Sequence, residues 1–323
     1  MLRAGDELPA HALFWFAHEA LQHPDACMLY ADEDEIDGEG QRRNPRFKPA
    51  WSWAHARSTR FFGEAVVLKA DALARAGGFE PDDARHGCYG AVLRVLDTLA
   101  GSGDPQVPHI PSVLLHRDAA DASGADGADA WAMDALRAHL ARRGLASTVE
   151  PVRAGCWRVH HALPAQPPLV SIIVPTRDAL ALTRLCVESL RRHTRYARYE
   201  ILLVDNQSSD PEALAWMRSQ AEEGAVRLLR YDAPFNYAAI NNMAVQQAGG
   251  ELVCLLNNDT EVMQPGWLDE MVSQAMQPGV EVVGAKLLYP NGLVQHAGDL
   301  VGVGGVANHA HAFLRAEDPG YCD

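Results

Sequence analysis

The sequence is nearly devoid of lysine. Lys48, Lys69 and Lys286 are the only three, and arginine supplies the other cations. With 28 basic against 42 acidic residues the formal net charge is −14. Phosphate backbones need clustered cations, so general nucleic-acid binding is not expected and no nucleic-acid partner is assigned. The six cysteines form no Cys-x-x-Cys pair. That spacing argues against a zinc ribbon and against a secreted disulfide framework, and fits a reducing cytoplasm. There is no apolar run of 18 residues and no apolar signal-peptide core near the N-terminus. A cytoplasmic location is therefore expected. What the chain does have is length and apolar content: 323 residues, 48% apolar, enough for two domains.

A proline-rich stretch at Leu163-Pro-Ala-Gln-Pro-Pro168 reads as an extended connector. Ahead of it, 118–130 is almost all Ala, Asp, Ser and Gly, as in a flexible loop, and 131–143 has helical spacing. Beyond it the pattern becomes regular. Apolar runs at 169–175, 199–205, 226–231 and 251–257 alternate with helical segments at 179–193, 211–222 and 237–248. Alternation of this kind predicts an α/β fold with a mainly parallel, Rossmann-like sheet. Ligands of such sheets bind beyond the carboxyl ends of the strands. Polar clusters stand there: Thr176-Arg-Asp178, Asp205-Asn-Gln-Ser-Ser-Asp210 and Asn257-Asn-Asp259.

The usual occupants of such a sheet lack their motifs. The turn after the first strand is Pro175-Thr-Arg-Asp-Ala-Leu180, with no glycine to let a dinucleotide pyrophosphate approach the backbone. Neither a Walker loop nor a Gly-x-Ser-x-Gly elbow occurs. A carboxylate such as Asp259 at a strand end can instead hold Mg²⁺ or Mn²⁺ against a diphosphate, and Asp205 can accept from a base or ribose. Either aspartate alone is more often a cap or turn residue. Of the other clusters, 32–35 reads as a solvated acidic loop, with a second metal site on Asp32, Glu33 and Asp34 the weaker alternative, and His309-Ala-His311 as loop histidines without a third ligand fixed by spacing. Arg191, Arg192, Arg195 and Arg198 read as a basic helix end, with peripheral membrane contact the weaker alternative.

The two halves also resemble one another. Leu256-Asn-Asn-Asp-Thr-Glu-Val262 precedes an amphipathic helix much as Leu2-Arg-Ala-Gly-Asp-Glu-Leu8 does. The repeat sets Arg3-Ala-Gly5 opposite Asn257-Asn-Asp259.

Val170-Ser-Ile-Ile-Val-Pro-Thr-Arg-Asp178, Glu200-Ile-Leu-Leu-Val-Asp-Asn-Gln-Ser-Ser-Asp210 and Leu255-Leu-Asn-Asn-Asp-Thr-Glu261 resemble the nucleotide-sugar motifs of family 2 inverting glycosyltransferases with the GT-A fold. Gly284-Ala-Lys-Leu-Leu-Tyr-Pro-Asn-Gly292 and Val294-Gln-His-Ala-Gly298 resemble the tandem-domain branch that builds O-antigen and related polysaccharides, including rhamnosyltransferase-like members. The resemblance implies a nucleotide site of Pro175, Thr176, Asp178, Asp205, Asn242 and Asn258, with the metal, Mg or Mn, on Asp259. It implies a UDP-, GDP- or dTDP-linked sugar donor and a glycan or lipid-linked acceptor. Asn257 stands where the family's metal motif has its first aspartate, which leaves one fewer anionic ligand.

By the same resemblance, residues 1–118 are a partial, degenerate GT-A domain, 119–168 a linker with one helix, and 169–323 a nucleotide-sugar-binding domain truncated at its C-terminus. Gly87-Cys-Tyr-Gly90 stands where the family carries its acidic catalytic base, so no catalytic residue is assigned. The expected function is transfer of a sugar to a bacterial surface polysaccharide with inversion. A nucleotide-sugar-binding pseudoenzyme and a structural partner of another glycosyltransferase are the alternatives.

Overall fold

The computed structural model describes residues 2–99, 105–119, 127–302, 305–318 and 320. Residues 1–162 together with 278–323 make one compact unit, and Leu163–Gln277 the other.

The first unit runs α1 (Ala12–Gln22), β1 (Met28–Ile36), β2 (Arg42–Arg46), α2 (Trp53–Ala56), β3 (Val66–Leu68), α3 (Ala70–Arg75), α4 (Pro81–His86), α5 (Tyr89–Asp97), β4 (His109–Asp118), α6 (Ala128–Arg142), β5 (Ser147–Arg153) and β6 (Cys156–His161). β1 is the central strand. It pairs parallel with β4 on one side and antiparallel with β3 and then β2 on the other.

Two expectations fail in this unit. Residues 32–35 are not a solvated loop. They lie within β1, and Asp32, Glu33 and Asp34 are all buried. Carboxylates enter a core only when partnered, and each of these is. Asp32 accepts from the Lys48 amide at 2.8 Å and meets His109 Nε2 at 2.8 Å. Glu33 pairs with Lys48 Nζ at 3.0 Å and Arg46 at 3.3 Å. Asp34 meets His116 Nδ1 at 2.5 Å and Arg42 at 2.6 Å. Nor is 119–168 a linker with one helix. α6 and the hairpin β5–β6 supply Ala132, Leu136, Leu140, Val149, Trp157 and Val159 to the same apolar core as Tyr30, Phe62 and Tyr89. The Ala/Asp-rich stretch at 120–126, read as a flexible loop, lies outside the described residues.

The second unit matches its sequence pattern closely. It runs β7 (Val170–Thr176), α7 (Leu180–His193), β8 (Tyr199–Asp205), α8 (Pro211–Glu222), β9 (Arg227–Arg230), α9 (Tyr237–Val245), β10 (Leu252–Leu255) and α10 (Trp267–Ala275). All four strands are parallel, in the order β10-β7-β8-β9. Both faces of the central strands β7 and β8 are covered, which is why they read as unbroken apolar runs, whereas the edge strand β10 leaves Val253 and Leu255 exposed. Ile172, Val174, Ile201 and Leu203 pack with Cys186, Val187 and Leu190 of α7, Met217 of α8, and Leu268 and Val272 of α10. Ile173, Leu202 and Val204 pack with Ile240 and Ala244 of α9.

The chain ends in four short strands: β11 (Leu287–Leu288), β12 (Val294–His296), β13 (Asp299–Val301) and β14 (Ala307–His309). Among the described residues they pair as β11–β12 and β13–β14, and none joins the parallel sheet. The expected second domain of 169–323 therefore differs from the compact unit, which begins at Leu163 and closes at Gln277. No helix among the described residues is long and apolar enough to cross a membrane.

Candidate functional site

The order β10-β7-β8-β9 places the topological switch between β7 and β10. From that point the chain winds outward in both directions, leaving a crevice at the carboxyl ends of the two strands. Thr176 closes β7, and the Asn257-Asn-Asp259 turn follows β10 after Leu256. Asn258 Nδ2 donates to Thr176 Oγ1 at 3.0 Å and to Thr183 Oγ1 at 3.2 Å. The two threonine hydroxyls themselves lie 2.6 Å apart. Thr183, from the first turn of α7, was not singled out by the sequence. Its only local signal is a polar residue on an otherwise buried helix face.

A second set ties β7 to β8. Asp178 has φ +55° and Gln207 φ +59°, both in the left-handed region that non-glycine residues seldom occupy. That backbone turns the Asp178 carboxylate onto the loop after β8. It accepts from Ser209 N at 2.6 Å, Asp210 N at 2.8 Å and Ser209 Oγ at 3.3 Å. The amides of Asp210 and Ser209 hold the Asp178 carboxyl below its ordinary range. The Asp178 amide donates to Ser208 Oγ at 3.0 Å, and the Ser208 amide donates to Asp205 Oδ1 at 2.9 Å. Asp178 and Asp205 are thus joined through one serine.

Asp205, only 2% exposed, ends β8, and its Oδ2 accepts from Arg230 at 2.9 Å. Arg230, the last residue of β9, also escaped the sequence reading, although a cation at a strand's carboxyl end is a legible signal. Beside Asp205, Asn206 donates to the carbonyls of Tyr231 and Ala233, while its buried Oδ1 has no partner.

Of the residues expected at the site, Thr176, Asp178, Asp205 and Asn258 enter these networks. Pro175 is a half-buried residue of β7 opposite Val204. Asn242 is exposed on α9 and its side chain bonds to none of the others. Asp259 is exposed, and its carboxylate accepts no hydrogen bond among the described residues. With both oxygens uncommitted next to the exposed Asn257 amide, the donor set is hard oxygen and fits Mg²⁺ or Mn²⁺. The nearby Cys186 is no competitor. Burial pushes its thiol up to about 11, the Asp259 charge adds to that, and Sγ faces the Asn257 carbonyl at 3.7 Å.

The first-unit positions that the repeat sets against the metal turn, and those that the resemblance sets at the catalytic base, are committed elsewhere. Asp6 Oδ2 accepts from the Arg3 amide at 2.8 Å and Oδ1 from the Asp118 amide at 3.2 Å. Gly5 sits at φ +96°, where a Cβ would lie 2.3 Å from an Asp118 oxygen. Cys88 is 2% exposed, and burial raises its thiol well above the ordinary range. At Gly90 a Cβ would come within 2.9 Å of Asp83 Oδ1 and 3.0 Å of Trp131. The neighbouring carboxylate, Asp83, is fully buried against Arg94 at 2.6 Å and the amides of Glu80 and Ala91.

Residues 171–298 match the family described as glycosyl transferase family 2. This stretch is a glycosyl transferase family 2 domain. Over 314 residues, 95% of this chain, the sequence is 42% identical to the O-antigen biosynthesis protein RfbC of Myxococcus xanthus, of which it covers 24%. It is 37% identical over 334 residues, 99% of the chain, to an uncharacterized protein of Sinorhizobium fredii, of which it covers 36%. The chain thus spans about a quarter to a third of these relatives. Among solved structures, a mannosyltransferase of Pyrobaculum calidifontis in complex with GDP-Man and Mn²⁺ aligns with 40% of this chain and 38% of its own. The identity is 24% and the TM-score 0.34.

Proposed function

We propose that the family 2 domain binds a nucleoside-diphosphate sugar at the carboxyl ends of β7, β8 and β10 and belongs to a metal-dependent, inverting transferase that extends a bacterial surface polysaccharide. The observation that carries this reading is the convergence of Thr176, Asp178, Asp205 and Asn258 on the switch-point edge, with Asp259 left open beside them. The 42% identity to an O-antigen biosynthesis protein supports the polysaccharide context.

In this reading Asp205 receives the nucleoside, its carboxylate aimed by Ser208 and Arg230 so that little reorganisation is needed on binding. Asp178 and Thr176 shape the pocket wall, Pro175 and Asn242 flank it, and Asn258 fixes the turn that presents Asp259. Asn257 and Asp259 are the residues that would hold Mg²⁺ or Mn²⁺. The bound cation would neutralise charge developing on the departing nucleoside diphosphate. The nucleobase is that of UDP, GDP or dTDP, and the acceptor a glycan or lipid-linked sugar at the cytoplasmic face of a membrane. Residues 1–118 are read as a degenerate relative of the same fold.

A second reading, a nucleotide-sugar binder without turnover, is favoured by one observation. Inverting transfer needs a carboxylate to take the acceptor hydroxyl proton. The matching segment of the first unit offers only a buried neutral thiol, Cys88, and a glycine with no room for a side chain. Calorimetric titration of the chain with UDP, GDP and dTDP, with and without Mn²⁺, tests the donor site. Metal-enhanced binding of one diphosphate is expected, and no binding of any of the three refutes it. Turnover with acceptor present separates the two readings.

A further inference from the structure

We propose that His296, Asp299 and His309 form a binding site for a zinc-type divalent transition-metal ion, independent of the nucleotide site and of the reading above. Among the described residues these three make the one group of potential metal ligands whose donor atoms converge. His296 Nδ1 lies 3.1 Å from His309 Nδ1. His309 Nδ1 lies 3.0 Å from Asp299 Oδ1, and His296 Nδ1 lies 3.7 Å from the same oxygen. Neighbouring ligands of a tetrahedral ion bound at about 2.0–2.1 Å stand about 3.3 Å apart, within the range of these three edges. A circle through the three atoms has a radius of about 1.9 Å, so an ion about 2.1 Å from each rests just above their plane. Water would complete the coordination of an ion held there.

The backbone builds this triangle from separate strands. His296 ends β12. Gly298, at φ +111°, reverses the chain and its carbonyl accepts from the Ala310 amide at 2.8 Å. Asp299 opens β13, and its register partner across the antiparallel ladder is His309 of β14. His311, which the sequence pairs with His309, is not a member.

Protons satisfy this arrangement poorly. If either imidazole donates to the other or to Asp299, at least one close approach among the three atoms stays unbonded, whereas one cation satisfies all three. Two imidazoles and a carboxylate suit Zn²⁺, Co²⁺ or Ni²⁺ and disfavour Mg²⁺, which prefers oxygen. The site also answers a structural need. Every residue of β13 and β14 is exposed, with Val301 at 89% and Leu300 at 53%, so burial contributes little to this hairpin. Two-stranded hairpins are marginal alone in water, and a metal clip to β12 would hold this one.

The test uses the full chain, stripped with a chelator and titrated with Zn²⁺ by calorimetry and with Co²⁺ by visible absorption. One Zn²⁺ equivalent is expected that Mg²⁺ does not displace, with slowed amide exchange across Asp299–Val301 and Ala307–His309. His296→Ala and His309→Ala should each weaken it by more than the roughly 10–100-fold that loss of an outer-sphere partner costs. Asp259→Ala should leave it unchanged. His309→Asn, which keeps a side chain of similar reach, guards against misfolding and is read alongside far-UV circular dichroism. Undiminished Zn²⁺ affinity in the folded histidine variants overturns the proposal. So does a thiolate-to-cobalt charge-transfer band, which would put the ion on cysteine.

Discussion

The side-chain amide of Asn258 donates to the hydroxyl of Thr176 at 3.0 Å, joining residues 82 positions apart in sequence. Since Thr183 shares the same donor, this contact pins the turn after β10 to both the end of β7 and the start of α7. The open Asp259 carboxylate is the next residue along. Its position is therefore set by a hydrogen-bonded neighbour and not by bonds of its own.

Asn258→Ala should act through that turn. Loss of two hydrogen bonds predicts about 1–3 kcal/mol of destabilisation at about 0.5–1.5 kcal/mol each. Metal-dependent diphosphate binding should weaken as Asp259 is released. Urea unfolding and calorimetry read the two effects separately. Weakened stability with unchanged metal-dependent binding would give Asn258 a purely structural role.

Asp259→Ala should abolish the metal-dependent part of diphosphate binding and leave the fold intact, because the carboxylate accepts no hydrogen bond among the described residues. Asp205→Asn should weaken binding with or without metal, since its proposed contact is with the nucleoside. Calorimetry with and without Mn²⁺ distinguishes them. An Asp205→Asn effect confined to the metal-loaded protein would contradict that assignment.

Soaking with Mn²⁺ and a nucleoside diphosphate should give density beside Asp259 and none beside Asp6 or Asp32. Asp6 is engaged by two backbone amides, and Asp32 by an amide and a histidine. Ordered nucleotide in the first unit would show the repeat alignment to be wrong. The same chain should transfer little sugar to an acceptor. Robust glycan extension would point to an overlooked base, with Glu261 and Asp318 the first to test.

Glu33 predicts an acid-sensitive first unit. Burial pushes its carboxyl upward, but Lys48 and Arg46 outweigh that and hold it below the ordinary range. A depressed folded value stabilises above the unfolded pKa of about 4.3, and the contribution disappears as pH falls through the folded value. Stability followed by urea midpoint should therefore drop on acidification below about pH 4.3. At neutral pH, Lys48→Ala strands a buried carboxylate and should cost about 3–5 kcal/mol. Lys48→Ala with an unchanged midpoint would mean the pair is not buried in solution.

The parallel sheet was legible because its information is local. Apolar runs closed by Pro168, Pro175 or Asp205 state both strand and boundary, and β8 occupies the residues its run predicts. The candidate site was legible to the extent that its residues follow strands, as Thr176, Asp205 and Asp259 do. Thr183 and Arg230 join through contacts made across the fold. The acidic strand was misread for the same reason. His109 lies 77 residues from Asp32 and His116 lies 82 from Asp34, so no local window contains the groups that let those carboxylates be buried. The helix at Ala128–Arg142 looked like a connector because alanine and aspartate dominate its start. The stripe Ala132, Leu136 and Leu140, which packs it into the core, is narrow.

The alternation of partners along β1 bears on how this sheet finds its alignment. Asp32 and Asp34 turn to the histidines of β4, while Glu33 between them turns to Lys48. A slip of one residue would exchange the two faces and set carboxylates against the wrong counter-ions or none. In an ordinary half-buried sheet the same slip carries the apolar set out to solvent. Here the error would strand an ion, so the strand proofreads its own pairing by charge.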